Sequence, residues 1–180
     1  MKYKIMIVDD EFVNLRTLER LFRSEYQVLL AHSGAEALTL LQQHDVALLI
    51  SDQRMPEMTG IELMKSTVTL RPHMVKILLT GYTDVSALIE AINCGLVYRY
   101  LTKPWNNDDL RITVSRALGH YELIKSKHIL EMVNQRLRVR LGQIGELATE
   151  GLEEAAAFGS EGSPEMRTAP TKPAAYARLG

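Results

Sequence analysis

Five short runs rich in Val, Ile and Leu alternate with segments of helical period as far as about residue 118: Lys4–Val8, Gln27–Ala31, Val46–Ser51, Val75–Thr80 and Val97–Leu101. Near-continuous apolar runs suit strands covered on both faces, and strands alternating with helices imply parallel pairing. The helical stretches are Asn14–Arg23, with Leu15, Leu18, Leu21 and Phe22 on one side, then a helix through Gln43, then Thr59–Leu70 and Asp84–Asn93. Ser33 followed by Glu36 is a capping-box signature for the second of these. The expected fold class is therefore α/β with a parallel sheet.

At 180 residues the chain has room for one ordinary domain and an appendage. Twenty-one Lys and Arg face 22 Asp and Glu, so no net field draws it to nucleic acid or to an anionic membrane. Cys94 has no partner for an internal disulfide, which fits a reducing compartment, and it reads as a small core residue. The apolar run before Asp9-Asp10 is too short for a signal-peptide core, and no long uncharged apolar run follows. The expectation is a cytoplasmic protein without a membrane span. His32, His44, His73, His120 and His128 lack metal-ligand spacing and read as solvated or helix-surface residues.

Asn106-Asn107-Asp108-Asp109 is suited to capping a helix that begins near Leu110. Leu123, Leu130, Leu137 and Ile144 recur at intervals of seven, with Lys127, Asn134, Leu141 and Ala148 at the alternate core positions. That spacing keeps one seam towards a partner helix, and a lone Asn in such a seam commonly sets register. Gly142 and Gly145 weaken the pattern, which leaves a homodimeric coiled coil and a single amphipathic helix both open. Beyond Gly151 the composition turns to Ala, Glu, Gly, Ser, Pro and Thr, too poor in large apolar residues to offset ordering entropy. The expected division is a domain over 1–120, a helical extension over 121–150 and a disordered tail over 151–180.

In open parallel sheets, ligands bind outside the carboxyl ends of the strands. The first strand ends in Asp9-Asp10-Glu11, the third in Ser51-Asp52 and the fourth in Thr80-Gly81, while Lys103-Pro104 follows the fifth. Carboxylates converging on one point repel unless a cation neutralises them. Mg2+ needs few protein carboxylates and keeps positions open for phosphoryl oxygens, which suits Asp10, Asp52 and Asp9. A carboxylate can then attack phosphorus to give an aspartyl phosphate, with an ammonium and a hydroxyl balancing the transferred charge. Lys103 and Thr80 are placed for those roles. Each residue alone has a plainer reading, as a turn former, a strand residue or a solvated charge, but the set occupies four of the five strand ends.

Val8-Asp9-Asp10-Glu11, Ser51-Asp52-Gln53-Arg54-Met55-Pro56, Thr59-Gly60, Leu79-Thr80-Gly81 and Tyr100-Leu101-Thr102-Lys103-Pro104 together resemble the receiver domains of bacterial two-component response regulators over about residues 1–120. The resemblance implies a doubly wound five-stranded parallel sheet of order 2-1-3-4-5, flavodoxin-like. It implies that Asp52 accepts phosphate from a histidine kinase or phosphotransfer protein, and that Asp9 and Asp10 help bind Mg2+, with the Gln53 backbone carbonyl completing the metal site. Thr80 and Lys103 would contact the phosphoryl group, and the Lys103-Pro104 bond would be cis. Phosphorylation would draw Thr80 in, let Tyr100 turn, and alter the surface of the helix over 84–93, the fifth strand and the helix that follows it. Receivers show only weak self-phosphorylation and self-dephosphorylation, so a regulator is expected rather than an enzyme.

The stretches Leu79–Asp84 and Tyr98–Trp105 are similar to receivers ahead of HD-GYP phosphodiesterases and of enhancer-binding activators that regulate hydrogenase genes. No HD-GYP signature, Walker loop or basic helix-turn-helix follows. The chain is thus read as a single-domain regulator with a helical extension or as a fragment of a longer transcription factor or phosphodiesterase, with no nucleic-acid binding by these residues alone. Arg54 and Tyr82 occupy positions that flank the phosphoryl group in the family, and bulky Tyr82 is expected to restrict the attacking water and prolong the phosphorylated state. A phosphatase would want a second aspartate where Arg54 stands, and a flavin carrier would want a phosphate loop where Asp9-Asp10-Glu11 stands. A phosphorylation-independent adaptor would have lost acidic or lysine residues of the set, and none is lost.

Overall fold

The computed structural model describes residues 2–81, 89, 91–93 and 95–159. In chain order the elements are β1 (Lys4–Val8), α1 (Phe12–Phe22), β2 (Gln27–Ala31), α2 (Gly34–Gln43), β3 (Leu48–Asp52), α3 (Gly60–Leu70), β4 (Val75–Thr80), β5 (Arg99–Thr102) and α4 (Asn107–Gly159). The strands form one parallel sheet in the order β2-β1-β3-β4-β5. This is the doubly wound, flavodoxin-like arrangement expected above, and the order reverses between β1 and β3, where ligands collect.

Alternation along each strand builds two cores. Ile5, Ile7, Leu48, Ile50, Val75, Ile77 and Leu79 face α1 and the first turns of α4, which contribute Leu15, Leu18, Phe22, Leu110, Val114 and Tyr121. Met6, Val8, Leu49 and Leu78 face the other way, against Ala37, Leu41, Leu63 and Met64 of α2 and α3, with Ala91 and Val97. Burying a side chain of this kind contributes roughly 1.5–3 kcal/mol, so both faces hold the sheet rigid beneath its loops.

The caps follow sequence chemistry. The Ser33 hydroxyl accepts from the Glu36 N–H, and Thr59 and Glu62 form a reciprocal capping box at the start of α3. The Asn106 side chain accepts from the N–H groups of Asp108 and Asp109, so α4 begins at Asn107, a turn before the expected Leu110. α4 runs on through Gly159, past Gly151, where the sequence reading placed the start of a tail; Glu153, Glu154 and Ala155 are good helix formers. The rest of that expected tail, residues 160–180, lies outside the described residues.

Two strands shift at both ends, β3 from the expected Val46–Ser51 to Leu48–Asp52 and β5 from Val97–Leu101 to Arg99–Thr102. β3 extends to Asp52, which pairs with Leu79. β5 starts at Arg99 instead of Val97 because the N–H groups of Leu96 and Val97 are taken by the Ala91 carbonyl, in a turn where Gly95 has φ of 66°. Of the expected helix over 84–93, the described residues Ile89 and 91–93 are helical, and the others lie outside the described set.

The chain divides into two compact units, Met1–Leu130 and Glu131–Gly180. Among the described residues of the second, only helix is present. No described helix is long and apolar enough to cross a membrane.

Candidate functional site

The register of β1 against β3 sets Val8 beside Ser51, so that Asp9 and Asp52 emerge next to each other at the carboxyl edge of the sheet. Asp9, Asp52 and Thr80 are buried, as is Gln53, while Asp10 is exposed. Carboxylate oxygens of Asp9, Asp10 and Asp52 lie within 4.8 Å of one another, a group able to hold a metal ion.

Lys103 reaches into this acidic group from the loop after β5. Its Nζ stands 2.6 Å from Asp52 Oδ1 and donates to Asp9 Oδ2 at 3.0 Å. The Lys103 N–H donates to the Thr80 carbonyl at 2.8 Å, which ties the loop to the end of β4. The Lys103-Pro104 bond is cis, as expected. Thr80 Oγ1 donates to the Gly81 carbonyl at 2.9 Å.

Each carboxylate is held by more than the lysine. Asp9 Oδ1 accepts from the Glu11 N–H at 2.9 Å, and the Asn14 side-chain amide donates to both of its oxygens. Asp52 Oδ2 accepts from the Arg54 N–H at 3.0 Å. The Gln53 carbonyl accepts from the Gly60 N–H at 3.1 Å, and its side-chain Oε1 accepts from the Ile61 N–H.

Burial pushes the Asp52 carboxyl above its ordinary range. The charge of Asp9 adds to the rise, while Lys103 and the Arg54 N–H oppose it. For Lys103 burial pulls downward, but the hydrogen bonds and charges of Asp52 and Asp9 outweigh it and hold the ammonium above its usual value. The result is an ion-paired carboxylate whose desolvation is incompletely repaid, the kind of perturbed group that collects at functional sites.

All of Asp9, Asp10, Asp52, Gln53, Thr80 and Lys103 thus gather at one strand edge. Tyr100, on β5, is 43% exposed. Arg54 is exposed, and its backbone contact with Asp52 is closer to the chemistry than its place in the motif suggests. Tyr82 lies outside the described residues.

Sequence reasoning missed two supports. Asn14 gave no signal beyond being a polar residue near Asp9. Gly60 was visible in Thr59-Gly60 but carried no assigned role. A Cβ there would meet the Asp52 carbonyl oxygen at 2.3 Å and the Leu78 side chain at 2.8 Å, so only glycine lets α3 approach the strand that carries Asp52.

The family model for the response regulator receiver domain matches residues 5–115. The hydrogenase transcriptional regulatory protein HoxA of Cupriavidus necator is 36% identical over 128 residues, covering 71% of this chain and 27% of that protein. The transcriptional regulatory protein ZraR of Klebsiella oxytoca is 34% identical over 143 residues, covering 79% of this chain and 31% of its own length. Among solved structures, the signal receiver domain of an HD domain-containing protein from Pseudomonas fluorescens Pf-5 superposes with a TM-score of 0.66 at 34% identity, covering 69% of this chain and 93% of that one. The chain therefore spans less than a third of the length of these two curated relatives. With the sheet order, the acidic group and the lysine in place, the chain belongs to the response regulator receiver domain family of two-component signalling.

Proposed function

We propose that Asp52 is the phosphoacceptor of a two-component relay, fed by a histidine kinase or a phosphotransfer protein. The observation that carries this reading is the Lys103 Nζ set between Asp52 and Asp9, at a buried carboxylate that desolvation has already made costly to ionise. A carboxylate oxygen of Asp52 attacks the phosphorus of a phosphohistidine, the P–N bond breaks, and an acyl phosphate forms while the histidine nitrogen leaves with its electron pair. Lys103 then exchanges Asp52 for a phosphoryl oxygen, and the Thr80 hydroxyl leaves the Gly81 carbonyl for another.

Three carboxylates with Lys103 bridging two of them fit Mg2+, which Asp9, Asp10, Asp52 and the Gln53 carbonyl would hold. When bound, the ion neutralises charge on the acids and on the transferred group. A phosphoryl group brings about −1.5 to −2 charges. Thr80 moving towards it makes room for Tyr100 to turn inward, which alters the surface of β5 and the adjoining helices. The protein is a cytoplasmic regulator with weak self-phosphorylation and self-dephosphorylation, and its extension pairs two copies.

A second reading makes the chain the receiver of a longer transcription factor or phosphodiesterase. What favours it is the kind of relative matched, regulators of which the chain spans less than a third. Incubation with acetyl phosphate and Mg2+, followed by phosphate-affinity electrophoresis, should give one shifted band that is lost in Asp52→Asn. An unshifted wild type would leave a phosphorylation-independent adaptor, and a shift retained in Asp52→Asn would move the acceptor elsewhere.

A further inference from the structure

In the second unit, the large apolar residues of α4 are exposed. Val133, Leu137, Leu141, Ile144 and Leu152 are between 46% and 70% accessible, an apolar stripe that the described residues leave uncovered. Their spacing is informative. Val133, Leu137, Leu141, Ile144, Ala148, Leu152 and Ala155 follow one another by four, four, three, four, four and three, and Leu130 precedes them by three. That is an eleven-residue repeat, about 3.67 residues per turn, which suits nearly straight helices with a slight right-handed twist. The seven-residue reading, by contrast, places Lys127 and Gly151 in the seam.

Charge decides how a second copy would lie. Residues 125–140 carry Lys125, Lys127, Arg136, Arg138 and Arg140 against the single acid Glu131, whereas 141–155 carry Glu146, Glu150, Glu153 and Glu154 and no Lys or Arg. A parallel pair would crowd Arg136, Arg138 and Arg140 of both copies into about 6 Å of helix length. An antiparallel pair sets the basic half against the acidic half.

That orientation also sets a register. Centred on Leu141, an antiparallel pair brings Leu130 opposite Leu152, Val133 beside Ala148, Leu137 beside Ile144 and Leu141 opposite its own copy. A Cβ on Gly145 would meet no described atom within 4 Å, so the described residues place no steric demand for glycine there.

We infer that two copies of this chain pair through an antiparallel, eleven-residue-repeat seam running from Leu130 to Leu152. The inference rests on the homodimer reading above and adds its orientation, its register and its residues.

Cysteine cross-linking of the full chain tests it. In a Cys94→Ser background, Val133→Cys and Ala148→Cys chains carrying different tags are purified separately, mixed and oxidised. The expected product is the mixed 133–148 disulfide, formed at least ten-fold more than either homodisulfide. Homodisulfides at 133 and at 148 in the unmixed chains would show a parallel pair and overturn the orientation. Sedimentation provides the second readout: Leu141→Asp should weaken the dimer at least ten-fold while leaving the thermal melt of the receiver unit in place. A wild-type monomer at 100 µM, with or without beryllofluoride and Mg2+, would overturn the pairing altogether. Phosphate-affinity electrophoresis of the same preparations reports on Asp52 independently, so failure of the seam and failure of the phosphoacceptor reading are told apart.

Discussion

Between Leu110 and Tyr121, α4 buries Leu110, Val114, Ala117, Leu118 and Tyr121 in the core that it shares with the sheet, whereas from Val133 to Leu152 equally large aliphatic residues of the same helix stand in solvent. The two stretches do not differ in helix chemistry, since both carry an apolar residue every three or four positions. They differ in what lies opposite them: the sheet and α1 for the first, no described residue of its own unit for the second. Apolar periodicity says that a face wants covering, and whether the cover comes from the same chain depends on contacts that are distant in sequence.

The largest expected effect breaks this contrast from its buried side. Leu110→Ala removes a fully buried side chain and should cost about 2–5 kcal/mol in denaturant unfolding of the receiver unit. An effect below about 1 kcal/mol would mean that the start of α4 is not part of the core. Gly60→Ala comes next. Its Cβ would collide with the Asp52 carbonyl, so at least about 1–3 kcal/mol of stability should be lost, together with phosphorylation at Asp52.

Thr59→Ala removes one half of the capping box of α3 and should cost about 1 kcal/mol, read as a lowered Tm. Leu137→Ala completes the contrast: on an exposed position its effect on unfolding of the receiver unit should stay within about 0.5 kcal/mol, while dimer sedimentation should respond.

Asp52 gives a prediction of sign. A carboxyl whose folded pKa is raised contributes stability that is present at low pH and is lost as pH rises through that folded value. Without Mg2+, Asp52→Asn should therefore raise Tm relative to wild type, and the difference should grow as pH climbs from the ordinary carboxylate range past the raised one. Mg2+ should stabilise wild type more than the variant. A Tm difference independent of pH would mean that burial does not dominate at Asp52.

Much of the receiver was legible because its signals are local. Lys4–Val8, Gln27–Ala31 and Val75–Thr80 are strands with the residues read from apolar runs alone, and Ser33, Thr59 and Asn106 cap helices because their side chains bond amides a few residues away. β5 starts two residues later than its apolar run because the amides of Leu96 and Val97 are diverted to Ala91, a turn closed by a glycine at positive φ. At the site, Asp9, Asp10, Asp52, Thr80 and Lys103 announced themselves by recurring at strand ends. Asn14 and Gly60 did not, since an amide and a missing Cβ acquire their roles only when another segment lies against them.

By itself the sequence determined the alternation of strands and helices and the set of groups that meet at Asp52, because both follow from residue type and short-range spacing. The tertiary structure decided that Lys103 stands between Asp9 and Asp52, that Gly60 must be glycine, and that α4 is covered at its start and bare beyond it. Those facts depend on which distant segments come within a few ångströms, and no local preference of the chain encodes that distance.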